Sequence, residues 1–275
     1  MAGRLEGKIA VVTGGGAGIG RVIAQKLSAD GADVAVADVN DAVETRELVE
    51  ANGRRFFAAK VDVSDEAQVN AFAAEVREAL GPVDIVVNNA AIAMLKDLDN
   101  TTYEQWKNLF SINVDGYFLV TKAFVQDLKD SEAGRVINMS SSGHWEAPPM
   151  FLAYVSAKGA VNGFTHALAT DLARWDITVN AIGPSVVRTP TTRRELTEEF
   201  FGHLRAAAEP EARADARGRR QPDRVPRLRR GRLHHRPGPP RRRRSDPPLT
   251  PVRGRALRET RPRPAVRKCP RPPWR

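Results

Sequence analysis

Cysteine is nearly absent from this chain. Among 275 residues only Cys269 occurs, which excludes an internal disulfide and a cysteine-built zinc cluster. Long apolar runs are absent too. No stretch approaches the ~18 apolar residues of a membrane span. The start, "MAGRLEGKIAVVTGG", has no apolar core or cleavage pattern of a secretion signal. No internal repeat is visible. These absences predict a soluble, cytoplasmic protein with no metal cofactor and no membrane partner. Lysine is scarce in one region only. Residues 206–275 hold 22 arginines, one lysine (Lys268) and 14 of the 19 prolines.

The overall charge of +10 hides two opposite parts. Residues 1–205 carry a net −7 and residues 206–275 a net +17. The acidic part alternates short apolar runs with amphipathic ones. "KIAVVT" (8–13), "ADVAVAD" (32–38), "RFFAAKVD" (55–62), "VDIVVNN" (83–89), "RVINMS" (135–140) and "ITVNAIG" (177–183) read as strands. Helical patterns lie near 18–29, 41–52, 65–80, 103–130 and 152–175. Apolar strands separated by helices predict an α/β fold, a parallel sheet covered on both faces. In "DVSDEAQV", Ser64 is read as the N-cap of the third helix. The pattern runs unbroken for some two hundred residues, so residues 1–205 are read as one domain.

The chemistry starts at "VVTGGGAGIG". Gly14, Gly18 and Gly20 follow the first strand and open the first helix. Glycines there permit a tight turn and bring a pyrophosphate against a helix N-terminus. Asp38 ends the second strand. A carboxylate there accepts hydrogen bonds from ribose hydroxyls and repels a 2′-phosphate. No Arg or Lys lies in "GGGAG" or at Val39, so NAD is the expected cofactor rather than NADP. Tyr154 and Lys158 in "AYVSAKGAV" stand at i and i+4 on one helix face. A nearby ammonium favours phenolate, which suits tyrosine to acid–base work. Ser141 ends the strand thirteen residues earlier. Each of these features alone would also fit a tight loop, an exposed acid or a surface pair.

Taken together, Thr13–Gly20, "NNA" at Asn88–Ala90, Asn113 in "SINVDG", Ser141 and Tyr154-x-x-x-Lys158 resemble the short-chain dehydrogenase/reductase family. The resemblance spans about residues 5–205. It implies a single Rossmann-type, doubly wound parallel sheet, here with strand order 3-2-1-4-5-6 because the usual last strand is not recognisable. It implies Tyr154 as the acid/base and Ser141 as the holder of the substrate oxygen. Lys158 would bind the nicotinamide ribose and tune Tyr154, and Asn113 would carry a water of the proton relay. Asp62 and Val63 would flank the adenine. Ile19, Asn89 and Pro184 would line the cofactor cleft, and Thr189 would reach the carboxamide. Ala91 and Ser185 stand where the family usually has glycine.

For alcohol oxidation Tyr154 would take the hydroxyl proton as hydride leaves for the nicotinamide. The expected pocket lining is Ile92, Met94, Ser142, His144, Trp145, Met150, Phe151, Val186 and Val187. Met94, His144, Trp145 and Phe151 are the chief substrate contacts. This set is apolar and aromatic. The blocks "YEQWKNLFSINVDGYFLVTKAFV" and "VNAIGPSVVRTPTT" look most like bacterial dehydrogenases of 1-phenylethanol type. The expected substrate is an apolar or aromatic secondary alcohol or ketone, with a 3-oxoacyl-type reductase as the alternative, and a homo-oligomer is expected.

The arginine- and proline-rich part has two readings. Its charge fits an Arg-rich nucleic-acid-binding protein reusing a dehydrogenase domain, but it lacks interleaved aromatics. Composition alone would leave it disordered. The second reading comes from the genetic code. Codons can be formed from the last two bases of one residue and the first base of the next. Read so, residues 225–238 permit "FLASDEAAFITGQ" and residues 241–245 permit "VDGG". Leu249–Thr250 then permits a stop. Such segments resemble the ordinary end of a short-chain dehydrogenase. Residues 206–275 are therefore expected to be an out-of-frame translation, with no specific nucleic-acid partner.

Overall fold

A computed structural model describes residues 3–189 and Thr192. They form one compact unit. The readings of residues 206–275 as a disordered, out-of-frame tail lie outside the described residues.

Six strands form one parallel sheet: β1 (Ile9–Thr13), β2 (Asp33–Asp38), β3 (Phe56–Lys60), β4 (Ile85–Asn88), β5 (Arg135–Met139) and β6 (Thr178–Ile182). Their spatial order is β3-β2-β1-β4-β5-β6, as expected. The helices are α1 (Gly18–Ala29), α2 (Val43–Ala51), α3 (Glu66–Ala79), α4 (Tyr103–Phe110), α5 (Gly116–Asp130), α6 (Gly143–Glu146) and α7 (Leu152–Leu172). The inner strands are apolar without alternation because both faces are covered. On β1, Val11 faces a core with Phe72, Val76 and Phe124. Its neighbours Ala10 and Val12 face the opposite core with Ala24 and Val49. Burying each such valine or phenylalanine stabilises the fold by about 1.5–3 kcal/mol.

Two local expectations are corrected. Ser64 does not cap α3. Its Oγ donates to Asp62 Oδ1 at 2.6 Å, and Asp65 takes the cap, accepting from Ala67 N and Gln68 N. The caps compete locally, and the carboxylate of Asp65 accepts two backbone donors at once. The single helix expected over 103–130 is interrupted by a π-helical turn, Ser111–Asp115. Such turns insert one residue and are found often at functional sites. Here the turn carries Asn113 and delivers Gly116 against Val63, where a Cβ would come within 2.8 Å of the valine side chain.

The strand order reverses between β1 and β4. In open α/β sheets the crevice at such a switch point, beyond the strands' C-terminal ends, is where ligands bind. The glycine turn, Asn89 and Ser140–Ser142 all follow the C-terminal ends of β1, β4 and β5.

Candidate active site

The glycine turn is shaped for close approach. Gly14 (φ +62°) and Gly18 (φ +55°) hold left-handed conformations that disfavour side chains. At Gly20 a Cβ would lie 2.1 Å from the Gly14 carbonyl. Ala17 precedes α1 without a side-chain cap, and the first turn holds no acid. Its N–H groups keep the positive end of the helix open to an anion. A dinucleotide pyrophosphate fits this cradle.

Side chains hold the turn by its backbone. Thr45 Oγ1 donates to Gly15 O at 2.8 Å. Arg21 donates from Nη2 to Gly16 O at 2.8 Å and from Nε at 3.2 Å. Asp38 Oδ2 accepts Gly16 N at 2.9 Å, and its Oδ1 accepts Asn40 N at 2.9 Å. Asn89 Nδ2 donates to Thr13 O and Gly14 O, joining the end of β4 to the turn. Its neighbour Asn88 faces the core instead, donating to Thr121 and Asn138. Asp62 closes a small turn with Ser64, and Val63 is buried beside it.

Across the switch point stand the reactive groups. Ser141 follows β5, and its Oγ accepts Gly143 N at 3.1 Å. Tyr154 and Lys158 lie on successive turns of α7. Burial pushes the Tyr154 hydroxyl above its ordinary range, while a hydrogen bond with Ser141 pulls it back. Lys158 is 2% exposed. Burial pushes it down to about 7. Its Nζ donates to Met139 O at 2.7 Å and to Tyr117 Oη at 3.3 Å. It sits 5.7 Å from the Tyr154 ring centre. In the free protein burial outweighs the Ser141 hydrogen bond at Tyr154, with Lys158 beside the ring. Both groups are desolvated, and desolvation favours their neutral forms. The Asn113 amide is occupied at both ends: Oδ1 accepts Ile92 N and Nδ2 donates to Ile92 O.

Ser141, Tyr154 and Lys158 open into one cavity of about 210 Å³. Ile19, Asn89, Pro184 and Thr189 line it from the cofactor side. Phe151, Val155, Val186 and Val187 supply much of its apolar wall. Met94, His144 and Trp145, expected as substrate contacts, are not among its lining residues. Met94 packs against Leu109, Ala153 and Ala157. Trp145 is 71% exposed and meets His144 edge-on. The His144 ring turns toward Gly159 on α7. In the single turn of α6 neighbouring side chains point about 100° apart, so His144 and Trp145 do not share a direction. Among the described residues no cluster of His, Cys, Asp or Glu is placed to hold a metal, and no helix is long and apolar enough to cross a membrane.

Comparison with known proteins places this geometry. The family model described as short chain dehydrogenase matches residues 8–199. The chain belongs to the short-chain dehydrogenase family. It is 40% identical over 187 residues to an L-2,3-butanediol dehydrogenase of Corynebacterium glutamicum, covering 66% of this chain and 72% of that one. It is 39% identical over 196 residues to an NADP-dependent (R)-specific alcohol dehydrogenase of Lentilactobacillus kefiri, covering 69% and 77%. The crystal structure of a carveol dehydrogenase from Mycobacterium avium in complex with NAD superimposes with a TM-score of 0.68 at 29% identity, over 77% of this chain and 82% of that one. As a short-chain dehydrogenase the protein is an oxidoreductase that works with a nicotinamide cofactor.

Three features of this short-chain dehydrogenase are not legible in its motifs. Tyr117 is 1% exposed. Its hydroxyl, which donates to Met139 O at 3.1 Å, shares that carbonyl with Lys158. Arg21 and Thr45 reach the glycine turn from α1 and α2. Glu146 lines the cavity as an acid among apolar residues. None has a sequence signal, because each is placed by contacts between elements distant in the chain.

Proposed function

We propose that the protein transfers hydride between NAD(H) and an apolar or aromatic secondary alcohol or ketone. The observation that carries this reading is the shared cavity, where Ser141, Tyr154 and Lys158 meet apolar walls and the cofactor cradle. Tyr154 exchanges the hydroxyl proton. Ser141 and Tyr154 hydrogen-bond the substrate oxygen as its charge changes. Lys158, buried beside Tyr154, would hold the nicotinamide ribose and tune Tyr154. Asn113, its side-chain amide fixed on Ile92, would carry a water of the proton relay. The bound nicotinamide supplies or accepts the hydride. Asp38, with Asp62 and Val63 at the adenine, sets the preference for NAD. The relatives' own names include an NADP-dependent enzyme and an NAD complex, so the preference rests on Asp38. Initial rates with NADH and NADPH against acetophenone, 2-butanone and a 3-oxoacyl thioester test the reading. Acetophenone with NADH should react with the highest kcat/KM. Faster turnover of the thioester, or a wide preference for NADPH, would overturn it.

We also propose that residues 206–275 are an out-of-frame translation of an ordinary C-terminus. The abrupt change of composition and the end of the family match at residue 199 support it. The in-frame protein is read as a cytoplasmic homo-oligomer with no specific nucleic-acid partner. Sequencing the parent DNA across codons 200–250 decides the matter. A frame restored near codon 208 should yield an active multimer. A fully active enzyme whose intact mass includes Cys269 and Trp274 would refute the proposal, and salt-dependent retention on DNA together with that mass would favour an Arg-rich binding role.

A further inference from the structure

We propose that Glu44 and Asp41 determine cofactor choice together with Asp38, by holding two cations away from the position a 2′-phosphate would occupy. The proposal rests on the cofactor reading above. Asp38 and Arg21 grip opposite ends of one residue. Asp38 Oδ2 accepts the Gly16 N–H at 2.9 Å, and Arg21 donates to the Gly16 carbonyl through Nε and Nη2. A Cβ on Gly16 would stand 3.0 Å from Asp38 Oδ2. The guanidinium therefore lies one residue's width from the carboxylate that faces the ribose. An arginine placed there is what accommodates a 2′-phosphate, by bidentate hydrogen bonds.

Arg21 is not free to do so. Its Nη1 pairs with Glu44 in the first turn of α2. A second cation is held in the same way. Lys60 on β3 lies in register with Asp38 on β2. Its Nζ pairs with Asp41 Oδ2 at 3.0 Å. The segment from β2 into α2 thus sets three carboxylates against two cations, and a phosphate meets net negative charge. Both pairs are at the surface. The Glu44 side chain is 68% exposed and the Asp41 side chain 72%. Such pairs are weak, so a neutral side chain in place of either acid frees Arg21 Nη1 or Lys60 Nζ at little structural cost. In this arrangement Asp38 repels the phosphate directly, while Glu44 and Asp41 withhold the groups that would bind it.

The test is equilibrium binding of NADH and NADPH to the full chain, followed by cofactor fluorescence. Glu44→Gln should tighten NADPH about threefold to fivefold and leave NADH affinity unchanged. The gain should shrink between 50 mM and 500 mM salt as the released charge is screened. Asp41→Asn should act in the same direction, with a smaller gain. Combining Glu44→Gln with Arg21→Gln should abolish the gain, because the cation is the agent. Glu44→Gln and Asp38→Ala together should exceed either alone. An NADPH affinity unmoved by both Glu44→Gln and Asp41→Asn, in chains that still bind NADH, would overturn the proposal and leave the cofactor reading intact. A gain that survives Arg21→Gln would overturn it as well. A parent chain that binds neither nucleotide would overturn the cofactor reading itself, and this proposal with it.

Discussion

The two halves of the sheet handle their polar groups in opposite ways. In the half built on β1–β3, side chains serve the backbone. Thr45, Arg21 and Asp38 hold the carbonyls and an N–H of the glycine turn, Asn89 reaches it from the end of β4, and the turn itself presents bare backbone. In the half built on β4–β6, the backbone serves side chains. The Met139 carbonyl holds Lys158 and Tyr117, and the π-turn fixes Asn113 on Ile92. The first arrangement suits a large ligand recognised by shape and dipole. The second suits proton transfer, which needs desolvated titratable groups whose protonation a bound partner can change. Substitutions should separate the same way, with affinity lost in the first half and rate lost in the second.

The largest separation is expected at Tyr154. Tyr154→Phe removes the proton-transfer group and should lower kcat by about 10²–10⁴. NADH should bind as tightly as before. Stopped-flow rates with a parallel binding titration check this, and near-normal turnover would end the mechanism.

Gly20→Ala should give the converse pattern. Its Cβ would lie 2.1 Å from the Gly14 carbonyl, so the turn must move. NADH affinity should fall by more than about tenfold, equal to 1.4 kcal/mol. Because Lys158 and Tyr154 lie across the switch point, the pH dependence of the residual rate should stay unchanged.

Lys158→Met should expose the stability cost of the catalytic half. Lys158 is pushed down to about 7 by burial. An unfolded lysine titrates near ~10.4. Between these values the unfolded chain binds the extra proton, so native stability rises with pH across that window and is lost as pH falls toward 7. Methionine removes the buried charge, and Tyr117 still donates to Met139 O. The variant should melt higher than the parent at pH 7, with the gain shrinking toward pH 10, while catalysis is lost. Calorimetric melting at both pH values measures it. A lower melting temperature at pH 7 would show that Lys158 is worth more as a hydrogen-bond donor than it costs as a buried ammonium.

The smallest effect on turnover should come from Thr45→Val. It leaves the Gly15 carbonyl without its 2.8 Å donor. An unsatisfied buried acceptor costs about 1–3 kcal/mol. Chemical denaturation should show that loss, along with weaker NADH binding and an unchanged kcat.

Much of this was legible from residue order. The strands are nearly continuous apolar runs, so their number and their order in the chain follow from hydrophobic pattern. Tyr154 and Lys158 share a helix face by their spacing alone. Ser64 against Asp65 was not legible, because both are good caps and the choice depends on a hydrogen bond to Asp62. The interruption at Ser111–Asp115 was not legible either. A π-turn changes no residue type, and the apolar period continues through it.

Sequence by itself determined the doubly wound α/β fold, the glycine turn and the candidates for the reacting groups. Each of these depends on local pattern or on a short motif whose geometry is its own. Tertiary structure alone decided what surrounds those groups. It buried Lys158 against Met139 and Tyr117, left His144 and Trp145 outside the cavity lining, and placed Arg21, Glu44, Lys60 and Asp41 around Gly16 and Asp38. Those outcomes arise between elements distant in the chain. Burial and charge pairing are set by which surfaces meet, and that is known only once the sheet is assembled.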